Sequence, residues 1–149
     1  MLIDTHSHLF LEEFSDDLPQ VMERARQAGV SRIYMPNIDS TTIEPMLSVC
    51  ADYPDFCYPM IGLHPTSVNE SYRQELSIVR ERLEAPNNFV AIGEIGLDLY
   101  WDKTFLNRTT VRILLLIKLR RNLVLHMAMR MAQQAWQKVN KAVSTVENQ

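Results

Sequence analysis

Over residues 2–94 the chain switches repeatedly between two hydrophobic periods, and that switching leaves few folds open. Leu2-Ile3-Asp4-Thr5-His6 reads as a short buried strand. Ser15-Asp16-Asp17 with Pro19 then opens a helix whose apolar positions Leu18, Val21, Met22 and Ala25 keep helical spacing until Gly29. Ser31 to Met35 reads as a second strand, and Asp39-Ser40 caps a helix with Ile43, Met46, Leu47 and Cys50 on one face, closed by Tyr53-Pro54. Phe56 to Leu63 is a third strand, followed after Asn69 by a helix carrying Tyr72, Leu76, Val79 and Leu83 and ending at Pro86; Phe89 to Glu94 is a fourth. Strands separated by helices are joined by right-handed crossovers, so the sheet is parallel and the class is α/β. Spacing alone does not separate an open doubly wound sheet from a β/α barrel. No glycine-rich phosphate loop follows a strand, whereas Asp4, His6, His8, His64 and Glu94 all fall at or just past predicted strand ends, where barrel enzymes assemble their sites. The barrel is therefore the expected form.

Composition fits one soluble globular domain, with 149 residues, 46% hydrophobic and 22% charged. There is no apolar run of about 18 residues and no basic-then-apolar start, so neither membrane partners nor export is expected. Cys50 and Cys57 are too few for a disulfide framework and fit a reducing compartment; a cytoplasmic location is the expectation. The net charge of −3 hides an asymmetry: residues 1–107 carry 7 Lys/Arg and 17 Asp/Glu, while residues 108–149 carry 8 Lys/Arg and Glu147 as their single acid. All 4 glycines and all 7 prolines precede position 108. Two segments are expected, 1–107 and a basic 108–149.

The chemistry lies in three short stretches. In Asp4-Thr5-His6-Ser7-His8 the histidines are two apart, so in extended backbone both rings project from one face, roughly 6 to 7 Å apart along the chain, and both can reach one cation. Asp4 and Thr5 are candidates to fix the ring tautomers. Two solvated loop histidines satisfy the same pattern. Glu94 ends an apolar strand between Gly93 and Gly96, where an uncompensated charge is expensive to bury. A carboxylate there can bridge two divalent ions held roughly 3.5 to 4 Å apart; an ordinary loop glutamate facing solvent is the alternative, and Asp98 is expected to cap a helix. His64, held extended by Pro65, is a candidate substrate or phosphate contact, or a turn histidine without a role.

Asp4-Thr-His-Ser-His-Leu9, Gly62-Leu-His-Pro65 and Gly93-Glu-Ile-Gly-Leu-Asp-Leu-Tyr100, in this order, resemble the TatD family of metal-dependent hydrolases. The resemblance implies a (β/α)8 barrel, a site with two divalent metals, and phosphodiester hydrolysis of DNA. Carried over by position, it makes His6 and His8 ligands of the first metal, Glu94 the bridge between both, and His64 a pocket residue. Magnesium suits carboxylate and zinc or manganese suits imidazole, so this donor set does not fix the metal.

The resemblance runs through about residue 107, which implies a partial TIM-type barrel of the first four to five βα units. Beyond it the family's late aspartate has no counterpart, and His126, which superficially matches a fifth-strand histidine, lacks the motif that follows. Residues 108–149 are accordingly expected to be a tail read out of frame or an aberrant end, with a genuine divergent basic tail as the alternative. Half a barrel has open edges, so self-association is expected, with residues 113–121 a candidate basic helix covering one flank. The competing functional reading is an inactive fragment or interaction module holding only half of the metal site.

Overall fold

The computed structural model of the chain describes residues 1–96. Four parallel strands form one sheet in the order β1-β2-β3-β4: β1 is Leu2–Asp4, β2 Val30–Pro36, β3 Cys57–Ile61 and β4 Ala91–Ile92. Helices α1 (Leu18–Gln27), α2 (Ile43–Asp52) and α3 (Tyr72–Glu84) make the crossovers. A parallel sheet in sequence order with a helix between each pair of strands is a partial β/α barrel, as expected.

The sheet's alternation shows how the core is built. Ile33 and Met35 of β2 and Cys57 and Ile61 of β3 are buried together with Met22 of α1, Met46 of α2, and Leu76, Val79 and Leu83 of α3. On the opposite face Tyr34 and Tyr58, paired in register, bring their rings to 5.5 Å. Burial on only one side of β3 is the period of two made visible.

Local signals act where the sequence placed them. Gly29 ends α1 at φ +86°, a conformation that side-chain-bearing residues rarely adopt, and hands its carbonyl to the Leu2 N–H. Asp39 forms a capping box with Thr42 over a short 3-10 turn, Ser40–Thr42, that leads into α2. Glu75 of α3 reaches across to accept from both the backbone N–H and the hydroxyl of Ser40.

Three differences from the sequence reading stand out. β1 ends at Asp4 and does not extend through His6, and its Leu2 and Ile3 are 57% and 44% exposed, not buried. Among the described residues β1 pairs with β2 alone, so its other edge and part of its surface remain open. A 3-10 turn at Glu12–Phe14, unmarked by any periodic pattern, precedes α1. Asp17 precedes α1 without using its side chain as a cap; it pairs instead with Arg24. Asp98, His126 and the whole of residues 108–149 lie outside the described residues.

Candidate metal centre

Each strand end delivers its side chain by a different local device. After β1 the chain turns: the Asp4 carboxylate accepts from the His6 N–H at 2.9 Å and from the Ser7 hydroxyl at 2.5 Å, and the Ser7 N–H donates to the Tyr34 carbonyl. This turn, and not extended alternation, brings the His6 and His8 rings edge to face with centroids 4.9 Å apart and their Nε2 atoms at 3.1 Å. Asp4 thus organises the backbone. The His8 tautomer is set elsewhere, by Nδ1–H donating to the Pro36 carbonyl at 3.0 Å, which leaves the Nε2 lone pair facing the cluster.

Glu94 follows β4. Gly62 makes its position possible: a Cβ there would sit 2.6 Å from the Glu94 carbonyl oxygen and 2.7 Å from its nitrogen, so only a bare Cα lets the two backbones meet. The Leu63 N–H then donates to the Glu94 carbonyl at 3.2 Å. Oε2 of Glu94 lies 3.0 Å from Nε2 of His6 and 3.7 Å from Nε2 of His8. Oε1 lies 3.1 Å from Nε2 of His64. The Glu94 side chain is 23% exposed.

His64 has the opposite tautomer to His8. The Thr66 N–H and hydroxyl both approach Nδ1, at 3.2 and 2.6 Å, making it an acceptor, so the proton sits on Nε2 and points at the carboxylate. His64 is therefore a hydrogen-bond donor toward the centre, while His8 is a lone-pair donor. His6, His8 and Glu94 each offer a ligand atom within 4.8 Å of the others, a set that can hold a cation.

Two observations test whether a metal suits these residues. Oε2 of Glu94 is buried without a hydrogen-bond partner, and among the described residues no other buried side-chain oxygen or nitrogen is in that condition. The nearby imidazoles are close but not aligned to donate to it, so proximity does not amount to a hydrogen bond. A carboxylate oxygen left this way is costly unless a cation meets it. Second, the pKa of His8 is lowered, chiefly by burial and then by the adjacent His6. That keeps its ring neutral, which is the form that ligates metal.

The sequence singled out His6, His8, His64 and Glu94, and all four meet at one end of the sheet. It did not single out Thr66, which sets the His64 tautomer, or Asn37, whose side chain is fully buried beside Gly62. A polar residue just after an apolar strand was the available signal for Asn37. A cavity of about 630 Å³ lies elsewhere, lined by Cys57 and Phe89 near the beginnings of β3 and β4 and by Arg82 and Asn88. Its charged side chain, Arg82, is engaged by Glu44, and its two thiols are held protonated by burial.

A parallel β/α half-barrel with two imidazoles and a carboxylate converging at the strand ends has the architecture of a metal-dependent hydrolase. The TatD related DNase family matches residues 3–145, and the chain belongs to that family. It is 41% identical over 104 residues to the uncharacterized metal-dependent hydrolase YabD of Bacillus subtilis, covering 70% of this chain and 40% of that protein. It is 33% identical over 97 residues to the 3'-5' ssDNA/RNA exonuclease TatD of Erwinia tasmaniensis, covering 65% of this chain and 37% of that one. The crystal structure of YjjV, a TatD homologue from Escherichia coli, superposes with a TM-score of 0.74 at 32% identity, over 82% of this chain and 47% of that one. The chain spans about two-fifths of the length of the curated relatives it matches. Among the described residues, no helix is long and apolar enough to cross a membrane.

Proposed function

We propose that this chain carries the opening half of a two-metal phosphodiesterase site acting on DNA, with His6, His8 and Glu94 holding divalent cations and Glu94 shared between two of them. The observation that carries the reading is the buried, unpartnered Oε2 of Glu94 set against two imidazole nitrogens. When bound, divalent ions supply positive charge to polarise a phosphoryl oxygen and make water acidic enough to attack at neutral pH. His6 and His8 present ring nitrogens, and the Pro36 carbonyl holds the His8 ring in the ligating tautomer. His64 contributes a proton-bearing Nε2, suited to donate a hydrogen bond to a phosphate oxygen, which makes it the substrate-binding residue of the group. Residues 1–107 carry a net charge of −10, so the cations and not a basic surface would draw the phosphate in. Magnesium is the first metal to test, with manganese suited to the same carboxylate and zinc favoured by the imidazoles.

The name of the Erwinia relative supports single-stranded nucleic acid as the first substrate. The test is a titration of the full chain with Mg²⁺ and Mn²⁺, followed by a metal-dependent nuclease assay on single-stranded DNA, with His6→Ala and Glu94→Ala as controls. Cleavage that both variants abolish supports the proposal, and cleavage unchanged in both assigns the activity to a contaminant. The second reading, an inactive fragment or interaction module retaining only half of the metal site, is identified by the absence of metal-dependent cleavage in the same assay. The division into a TatD-like 1–107 and a basic 108–149 is part of the same proposal; limited proteolysis that spares the first and trims the second supports it.

A further inference from the structure

Of three consecutive residues leaving β2, the outer two each hold a histidine of the cluster and the middle one holds Gly62. The Pro36 carbonyl accepts from Nδ1 of His8 at 3.0 Å. The Ile38 carbonyl accepts from the His64 N–H at 2.7 Å. Between them Asn37, fully buried, turns its side chain toward Gly62: Oδ1 accepts from the Gly62 N–H at 2.7 Å, and Nδ2 donates to the Gly62 carbonyl at 3.2 Å and to the Asp39 carbonyl at 2.9 Å.

Gly62 is where the Glu94 backbone rests. With a Cβ position only 2.6 Å from the Glu94 carbonyl oxygen, any rotation or slide of Gly62 is transmitted to the carboxylate. Asn37 binds both polar groups of Gly62 at once, fixing its translation and its tilt. One residue can do this from its side chain because the Asn amide carries donor and acceptor on one planar group. A buried Asn satisfied on both sides in this way also resists replacement, since removing it orphans both the N–H and the carbonyl of Gly62.

We infer that Asn37 is the positioning residue of the cluster, setting Glu94 through Gly62 while its two neighbours fix His8 and His64, so that the span 36–38 holds imidazoles and carboxylate in mutual register. The metal part of its test rests on the proposed cation site. Asn37 touches no ligand atom and is not itself a catalytic residue.

The experiment compares the full-length wild type, Asn37→Ala, Asn37→Ser and Val79→Ala. Val79 is 1% exposed in α3 and its apolar side chain can make no hydrogen bond, so it reports loss of core packing alone. Two signals are read at pH 8: the visible absorption of bound Co²⁺ with its dissociation constant, and the imidazole ¹⁵N resonances that report the tautomers of His8 and His64. Asn37→Ala is expected to weaken Co²⁺ at least 10-fold, to alter its absorption bands, and to move the His64 resonances away from the pure Nε2–H form. Asn37→Ser, which keeps a hydroxyl for the Gly62 N–H, is expected to recover part of both and serves as the reporter if the alanine variant does not fold. Val79→Ala is expected to lower thermal stability and leave both signals unchanged. Wild-type Co²⁺ bands and imidazole resonances in a folded Asn37 variant would overturn the inference, as would equal changes in Val79→Ala. If the wild type binds no Co²⁺, the proposed metal centre fails, and the imidazole resonances alone decide the positioning claim.

Discussion

Gly62→Ala puts the central geometry under direct strain. The new Cβ would lie 2.6 Å from the Glu94 carbonyl oxygen and 2.6 Å from the Gly93 carbonyl carbon, against an ordinary contact beginning at 3.4 Å. Both opposing groups are backbone, so relief requires roughly 0.8 Å of relative movement between the ends of β3 and β4. Overpacking of this kind costs about 1–3 kcal/mol of stability. The larger effect is expected at the cluster. His8 is tied to Pro36 and His64 to Ile38, neither of which moves with Glu94, so the shift separates the carboxylate from its imidazoles. Metal–ligand distances tolerate about 0.2 Å, and misplacing ligands through their supports typically costs about 10–100-fold in affinity. The assay is Mn²⁺ titration by calorimetry beside thermal unfolding monitored by circular dichroism. A variant that binds Mn²⁺ like wild type with an unchanged melting temperature would refute the claim that this contact positions Glu94.

Other consequences follow from the same geometry. Glu94→Gln keeps the shape but removes the charge; Mn²⁺ affinity should fall at least about 100-fold, near 2.7 kcal/mol, while calorimetry of the metal-free variant at pH 8 should show stability rising by about 1 kcal/mol because the unpartnered buried oxygen no longer carries charge. His8 should titrate below its ordinary value of 6.5, since burial and His6 disfavour the imidazolium. The unfolded chain takes up this proton first as pH falls, so stability is unaffected by His8 above pH 6.5 and declines as pH drops from there through the lowered folded value. An imidazole NMR titration with its His8 midpoint at or above 6.5 would contradict this. Cys50 and Cys57, pushed up to about 12 and about 11 by burial, should resist a disulfide exchange reagent at pH 8 until the chain unfolds; rapid labelling of the native protein would show the thiols are accessible.

How much of this was legible in the sequence depended on whether a signal was local. The helices were readable because Gly29, the Asp39 cap and the Tyr72, Leu76, Val79, Leu83 stripe act within a turn or two of themselves. The parallel order was readable because helical crossovers allow little else. The four cluster residues were visible as polar groups at strand ends. The reason they converge was not. His6 and His8 meet through a turn that Asp4 organises, and the sequence credited that convergence to extended alternation. Opposite tautomers for His8 and His64 depend on Pro36, distant in sequence, and on Thr66, two residues along. Asn37 carried only the weak signal of a polar residue after an apolar strand, because its partners at Gly62 and its effect on Glu94 arise only when three strands lie side by side. The exposure of β1 escaped notice for the same reason: an apolar pair reads as buried, while actual burial depends on what pairs with its other edge.

The measurement that bears most directly on the account is anomalous scattering from crystals of the full chain grown with Mn²⁺. The account requires a manganese peak within ligand distance of Nε2 of His6, Nε2 of His8 and a carboxylate oxygen of Glu94. A peak elsewhere, or none among these three side chains at millimolar Mn²⁺, would contradict it.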